Sequence, residues 1–288
     1  MASDLRRARM GGLLDLARPL NCVLSGAGVL VGVFVAVGPD GYVVAIPKAL
    51  LAAGAAASFT AGGNALNDLY DRATDAVNHP ERPIPSGRVS VSRAGAFAVA
   101  AFVAAGALGA FLNPWCLAIL LSNALLMFAY ESGLKAKGFF GNLAIAYLVG
   151  SLFLFAGFAV YVGPEDPRPL LRVGVLAALA FVATVGREVT KDIEDMRGDV
   201  DRRTLPRRIG ARNAGWVAAA AFAAGVAMSV IPWSLGLLGL WYAVVVVVAD
   251  GMFIYAALHS AARPARSQRV AKYAMIVALA AFLAGGIP

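Results

Sequence analysis

Residues 49–75 read ALLAAGAAASFTAGGNALNDLYDRATD, an apolar run that ends in three aspartates. No charged side chain occurs between Ala49 and Asn67. A helix of about 20 apolar residues crosses the ~30 Å hydrocarbon core of a bilayer. The stretch therefore predicts a membrane span that carries a cluster of acidic side chains at one end.

Similar apolar runs recur along the whole chain. The composition is 60% hydrophobic and 15% charged, with a mean hydropathy of +0.73, whereas soluble domains have about 25% charged residues. These values predict an all-α membrane protein, surrounded by membrane lipids, with one transmembrane domain over residues 1–288. The predicted spans number nine and cover residues 20–38, 43–66, 91–112, 114–130, 139–161, 170–189, 213–231, 233–257 and 270–286.

The basic residues predict the orientation of these spans. If the N-terminus is cytoplasmic, all but three of the 25 Lys and Arg residues fall in cytoplasmic segments, and the exceptions are Lys48, Arg168 and Arg172. Cytoplasmic loops are enriched in these residues, so the N-terminus is predicted to be cytoplasmic. The same enrichment explains the net charge of +8, and no nucleic-acid partner is predicted.

The chain contains an internal repeat of the acidic pattern. DxxDxxxD occurs after the second span and again after the sixth, followed each time by Arg, Pro and Gly. Four spans separate the two copies. The pattern favours two four-helix repeats followed by a ninth helix, with both acidic clusters on the cytoplasmic side. The aspartates are Asp68, Asp71 and Asp75 in the first copy and Asp192, Asp195 and Asp199 in the second.

Each acidic cluster is predicted to form one face of a helix. At about 100° per residue the first cluster, with Asn64 and Asn67, spans an arc of roughly 100°. A solvated helix end at the membrane boundary would also tolerate carboxylates. However, carboxylates at these spacings repel one another, and a site with oxygen ligands alone suits Mg²⁺, which usually binds one or two carboxylates together with substrate phosphates. The two clusters therefore predict a magnesium site for a phosphate-bearing or diphosphate-bearing substrate.

At these residues the chain resembles the UbiA superfamily of intramembrane prenyltransferases over nearly its whole length. The resemblance lies in NDxxDxxxD from Asn67 to Asp75, in the second DxxxD from Asp195 to Asp199, and in the nine-helix layout. Four shorter segments resemble the archaeal digeranylgeranylglyceryl phosphate synthase branch of that superfamily. They are RPLNC (18–22), RPIPSGR (82–88), GN (141–142) and REVTKDIED (187–195).

The resemblance implies a role for each polar group. The six aspartates, with Asn67, would hold Mg²⁺ on a polyprenyl diphosphate and act as the catalytic residues. Further side chains would bind the diphosphate or the acceptor, or would lie at the entry to the pocket. This substrate-binding set is Asn67, Arg18, Asn21, Arg72, Tyr130, Lys135, Lys191, Arg82 and Arg88.

The implied reaction is transfer of a geranylgeranyl group from its diphosphate to geranylgeranylglyceryl phosphate in the cell membrane, with release of diphosphate. An aromatic acceptor, such as the quinone precursor 4-hydroxybenzoate, is the alternative. An ion or metal transporter is a more distant one, because transporter sites lie near the bilayer midplane whereas these acids follow the spans. One further carboxylate, Asp250, lies inside a predicted span, where such a group is costly and usually faces a cavity or a partner.

Overall fold

The computed structural model describes residues 11–161, 163, 165–196 and 204–286. Residues 11–17 are helical, and Arg18 separates them from the long helix that follows. The helices are α1 (Pro19–Tyr70), α2 (Arg72–Asn78), α3 (Val91–Leu112), α4 (Pro114–Ser132), α5 (Phe139–Ala159), α6 (Arg168–Asp195), α7 (Leu205–Ile209), α8 (Ala211–Ser229), α9 (Ile231–Ser234), α10 (Leu240–His259) and α11 (Pro264–Gly285), with a 3₁₀ turn at Leu134–Ala136.

Within the described residues, eight helices are long and apolar enough to cross a membrane, so the chain is a multi-pass membrane protein. The predicted count of nine differs because the sequence divides α1 into two spans, 20–38 and 43–66. α1 has a break at that position, where Gly38 adopts a non-helical φ of 70°. Pro39 follows, and the residue before a proline disfavours helical geometry.

Three predicted boundaries are wrong by six residues or more. The sixth span, predicted to end at residue 189, continues as α6 to Asp195. The span predicted to begin at residue 233 begins as α10 at Leu240, because α9 ends at Ser234 and a turn follows in which Gly236 has a φ of 63°. The turn contains buried Leu237 and Leu238 and no charged residue, so composition did not reveal it. The last span begins at Pro264 and not at 270, since the helix continues through its basic first turns.

The chain divides into two compact units, Met1–Leu30 with Pro47–Ser132 and Val31–Ile46 with Gly133–Pro288. In the first unit the two parts of α1 are joined by polar contacts inside the apolar region. Thr60 Oγ1 donates to Ser25 Oγ at 2.9 Å, and Ser25 Oγ approaches the Ala56 carbonyl at 3.4 Å. Away from water such bonds satisfy polar groups that would otherwise destabilise the helices. They fix the part of α1 that leads to the first acidic cluster.

In the second unit small residues allow close helix packing. A Cβ added at Gly157 on α5 would lie 2.3 Å from a Val173 side-chain carbon on α6, and one added at Gly186 would lie 2.7 Å from the Phe222 ring on α8. Helices in membranes associate through such close contacts, since lipid supplies no hydrophobic driving force between them. This packing holds α6, whose last turns carry part of the second acidic cluster, against α5 and α8.

Candidate active site

The first aspartate cluster lies where α1 passes into α2. Asp68 is in the last turn of α1, Asp71 joins the two helices, and Asp75 lies in α2. The backbone stays almost helical across this junction, as the Asp71 amide donates to the Asn67 carbonyl at 2.9 Å and the Asp75 amide to the Asp71 carbonyl at 2.8 Å. Asp68 and Asp75 are only 2% and 4% exposed, so their carboxylates need partners inside the protein.

Two arginines supply those partners. Arg18 donates from Nη2 to Asp68 Oδ1 at 2.5 Å. Arg82 Nη1 lies 2.6 Å from Asp75 Oδ2 and 3.7 Å from Asp68 Oδ1, so its guanidinium lies between the two carboxylates. The cation that offsets their repulsion is thus provided by the chain itself, whereas sequence reasoning assigned this role to metal alone. Both arginines stay about one-third exposed and can still meet a ligand.

The position of Arg18 depends on an unusual backbone conformation. Its φ of 52° and ψ of 74° are left-handed, and it is the one non-glycine residue with positive φ in the described part of the chain. These backbone angles are costly for a residue with a Cβ. Pro19, which follows, restricts the backbone angles of Arg18 further. Asn64 donates to the neighbouring Ala17 carbonyl at 2.8 Å, which secures the turn against α1. Strained residues of this kind cluster at functional sites.

Asn67 connects the cluster to α4. Its Nδ2 donates to Asp71 Oδ2 at 3.1 Å and to Glu131 Oε1 at 2.9 Å. Glu131 is 7% exposed, although its sequence position suggests only a charge at a helix end. Sequence reasoning missed it because a single Glu after Tyr130, 64 residues from Asn67, carries no local pattern. Glu131 holds the Asn67 side chain beside Asp71.

The first unit also contains the other predicted substrate contacts Arg72, Arg88, Asn21 and Tyr130. Arg72 is exposed and donates to the Leu69 carbonyl at 3.0 Å. Arg88 pairs with Asp15 and donates to the Glu81 carbonyl at 2.8 Å. Asn21 is exposed on the first turn of α1, and Tyr130 is half-buried on α4.

Asp192 and Asp195 of the second acidic cluster lie in the last turns of α6. Asn142 on α5 donates from Nδ2 to Asp192 Oδ2 at 2.9 Å, and it is 8% exposed. Asp195 and Lys191 are exposed on the same helix end. Lys135 is half-buried in the 3₁₀ turn before α5. The sixth predicted aspartate, Asp199, lies outside the described residues.

The chemistry of these side chains suits a hard divalent ion. Within the described ranges, no group of three or more His, Cys, Asp or Glu side chains is placed to hold a metal by itself. Mg²⁺ does not need such a group, because it commonly takes one or two carboxylates and completes its shell with substrate phosphate oxygens and water. Asp68, Asp71 and Asn67 offer oxygen donors alone, and Arg18 and Arg82 offer positive charge for phosphate beside them.

Comparison with known proteins gives the same family along the whole chain. The UbiA prenyltransferase family matches residues 26–284. The digeranylgeranylglyceryl phosphate synthase of Halobacterium salinarum is 41% identical over 276 residues, covering 95% of this chain and 96% of that protein. The synthase of the same name from Methanopyrus kandleri is 39% identical over 280 residues, covering 96% and 99%.

Solved structures agree with the sequence comparison. A structure described as that of digeranylgeranylglyceryl phosphate synthase has a TM-score of 0.85 at 30% identity, covering 97% of this chain and 99% of its own. A UbiA homologue from Archaeoglobus fulgidus, bound to DMAPP and Mg²⁺, has a TM-score of 0.60 at 16% identity over 94% of this chain and 99% of its own, which shows a shared fold alone. The sequence-based family prediction is confirmed: this chain is an enzyme that belongs to the UbiA prenyltransferase family.

Proposed function

We propose that this prenyltransferase transfers a geranylgeranyl group from geranylgeranyl diphosphate to geranylgeranylglyceryl phosphate. The product would be digeranylgeranylglyceryl phosphate, after which the related synthases are named. The observation that carries the proposal is 41% identity to such a synthase over 95% of the chain. The C–O bond between the prenyl group and diphosphate breaks, and a C–O bond to the glycerol oxygen of the acceptor forms. That oxygen loses a proton.

The site residues support this reaction through charge and position. Arg18 and Arg82 pair with the buried carboxylates and would bind diphosphate oxygens. Arg72 and Lys191, which are exposed at helix ends, would be further contacts. Fixed cations stabilise negative charge that develops on a leaving group. Asn67, Asp68, Asp71 and Asp75, and likewise Asp192, Asp195 and Asp199, would hold Mg²⁺, which when bound neutralises charge on the diphosphate.

The acceptor carries a second phosphate and therefore needs a basic group of its own. Arg88 is our candidate, because its guanidinium is 40% exposed and its partner Asp15 is 54% exposed, so that a phosphate can replace the carboxylate. Arg82 is less suitable for the acceptor, since it already lies between two buried carboxylates. Asn21, Tyr130 and Lys135 would orient the bound substrates.

We propose one functional transmembrane domain over residues 1–288, with nine spans in the cell membrane and the active site toward the cytoplasm. α1 has 52 residues, or about 78 Å at 1.5 Å per residue, and a single crossing needs about 30 Å. The non-helical Gly38 divides it into two spans of suitable length. Together with seven further spans this gives nine.

Reporter fusions test this topology. A reporter that is active only in the cytoplasm, fused after residue 138, should be active, and the same reporter fused after residue 166 should be inactive. The expectation follows because α5 lies between the two points. Equal activity of both fusions would contradict the count of nine.

An acceptor assay tests the proposed function itself. Purified protein with labelled geranylgeranyl diphosphate should convert geranylgeranylglyceryl phosphate and leave 4-hydroxybenzoate unreacted. A hydrogen bond to a charged group such as a phosphate contributes about 1.5–3 kcal/mol, or roughly 10–150-fold. Arg88→Ala should therefore raise KM for the glyceryl phosphate by at least about tenfold and leave KM for the diphosphate unchanged, with exposed Arg93→Ala as the matched control. Preference for the aromatic acceptor would favour the alternative reaction.

A further inference from the structure

An apolar cavity of about 210 Å³ lies inside the second unit, between α5, α6, α8, α10 and α11. Its walls are mostly aromatic and aliphatic. The residues that define it best are Phe153, Phe222, Phe253, Phe282, Tyr242 and Met275. An apolar cavity of ~150 Å³ stays dry and accepts benzene. By the same proportion this cavity encloses about eight carbon atoms, and a chain of about ten carbons fits if its end extends into the opening.

The cavity is separate from the second acidic cluster. Leu176, Leu179, Ala180 and Ala183 line it from α6, and their spacing places them on one face of that helix. At about 100° per residue, Asp192 and Asp195 lie roughly 110–170° around the helix from that face. They are also about 13 Å or more farther along the axis than Ala183. A molecule in the cavity therefore does not share the aspartate face of α6.

One carboxylate interrupts the apolar wall. Asp250 is half-buried and lies in the middle of α10, about 15 Å along the axis from the first residue of that helix. Ser229 Oγ donates to Asp250 Oδ2 at 2.8 Å, and the described residues provide no other hydrogen bond or ion pair to this carboxyl. An ionisable side chain inside a span is costly and marks a functional position. It retains capacity to accept a second hydrogen bond.

The polar groups beside the cavity can accept a hydrogen bond from a ligand but cannot donate one to it. The Ser229 hydroxyl also approaches the Val226 carbonyl at 2.7 Å, and the Tyr242 hydroxyl donates to the Ser229 carbonyl at 2.7 Å. Their hydrogens are thus already used. A ligand that satisfies Asp250 must supply a donor of its own.

The position of the cavity entrance limits the charge that such a ligand can carry. Ile276 lines the cavity near the middle of α11 and is 57% exposed, so the opening lies at the depth of the hydrocarbon core. A cation at that depth is costly, and a neutral molecule dissolves there readily. We propose that this cavity is a binding site for a neutral aliphatic alcohol of about ten carbons, whose hydroxyl donates to Asp250.

Binding of labelled geraniol to the purified protein in nanodiscs tests the proposal. We expect one saturable site. The hydrocarbon of the same skeleton, 2,6-dimethyl-2,6-octadiene, should compete at least tenfold more weakly, as expected for the loss of a hydrogen bond to a charged group. Geranylamine should compete more weakly than geraniol. This comparison uses the unmodified protein and needs no variant.

Variants then locate the site. Asp250→Leu, which removes the acceptor at similar volume, should raise Kd for geraniol at least tenfold, and Ala180→Leu should abolish binding by filling the cavity. Ala224→Leu on the exposed side of α8 is the matched control and should leave Kd unchanged. Asp71→Ala should also leave it unchanged, which separates this site from the proposed catalytic one. Equal competition by the hydrocarbon, tighter binding of the amine, or an unchanged Kd in folded Asp250→Leu would overturn the proposal.

Discussion

Replacing Asp71 or Asp195 by alanine is expected to reduce turnover on the order of 10²–10³-fold or more, the loss typical when one group that stabilises transition-state charge is removed. Each carboxylate is proposed to hold Mg²⁺ on the substrate diphosphate. The fold should remain intact, because Asp71 is only half-buried and Asp195 is exposed. Removing one of several repelling carboxylates leaves no core cavity, and surface substitutions change stability by about 0.5 kcal/mol or less.

The double variant is the sharper measurement. Groups that act as one catalytic unit are grossly non-additive, so the double variant should be little slower than either single variant. Independent contributions would instead multiply, to about 10⁴–10⁶-fold. Turnover and thermal unfolding should be measured on all three proteins. Near-normal turnover in either single variant, or loss explained wholly by unfolding, would place the active site elsewhere.

Glu194→Ala provides a matched control for these substitutions. Glu194 is exposed on the last turns of α6, and at about 100° per residue it lies roughly 100–160° around the helix from Asp195 and Asp192. Its removal changes the net charge by the same amount as Asp195→Ala. We therefore expect turnover of this variant to stay near that of the unmodified enzyme. An equal loss would mean that total charge at the helix end, and not a particular carboxylate, determines turnover.

The helices were largely predictable, because the apolar runs and their breaks are local. Val91–Leu112 was predicted at both ends, since Ser90 caps its first turn and Asn113 and Pro114 follow it. The turn between α9 and α10 was not predicted. Leu237 and Leu238 are buried there, and a buried apolar turn has the same composition as a span.

The types of residue in the first cluster were predictable, but their partners were not. The spacing of the aspartates is local, whereas Arg18 and Asp68 are 50 residues apart and Asn67 and Glu131 are 64 apart. Such pairs depend on how distant segments pack. Arg18 and Arg82 were predicted as substrate contacts from resemblance alone, and the structure adds that they already neutralise Asp68 and Asp75. The predicted roles of these residues in catalysis remain predictions.

Removing divalent metal is expected to lower turnover on the order of 10³-fold or more. A bound ion supplies several kcal/mol of charge stabilisation to a phosphate leaving group, and each 1.36 kcal/mol corresponds to tenfold in rate. Turnover should be measured with excess chelator and again after Mg²⁺ is restored. Full activity in excess chelator would reject metal-dependent ionisation of the diphosphate.

The metal-free protein should nevertheless remain folded. Asp68 and Asp75 are buried, and unpaired buried carboxylates would destabilise the junction of α1 and α2. Arg18 and Arg82 already pair with these carboxylates, so the folded state does not depend on metal for charge balance. The unfolding temperature should therefore be the same with and without chelator while turnover differs widely.

Arg82→Met, which keeps the length of the side chain and removes its charge, should make the unfolding temperature rise with Mg²⁺, because the ion then becomes the remaining partner of Asp75. If that variant gains no stability from Mg²⁺, the carboxylates beside Arg82 are not the metal ligands.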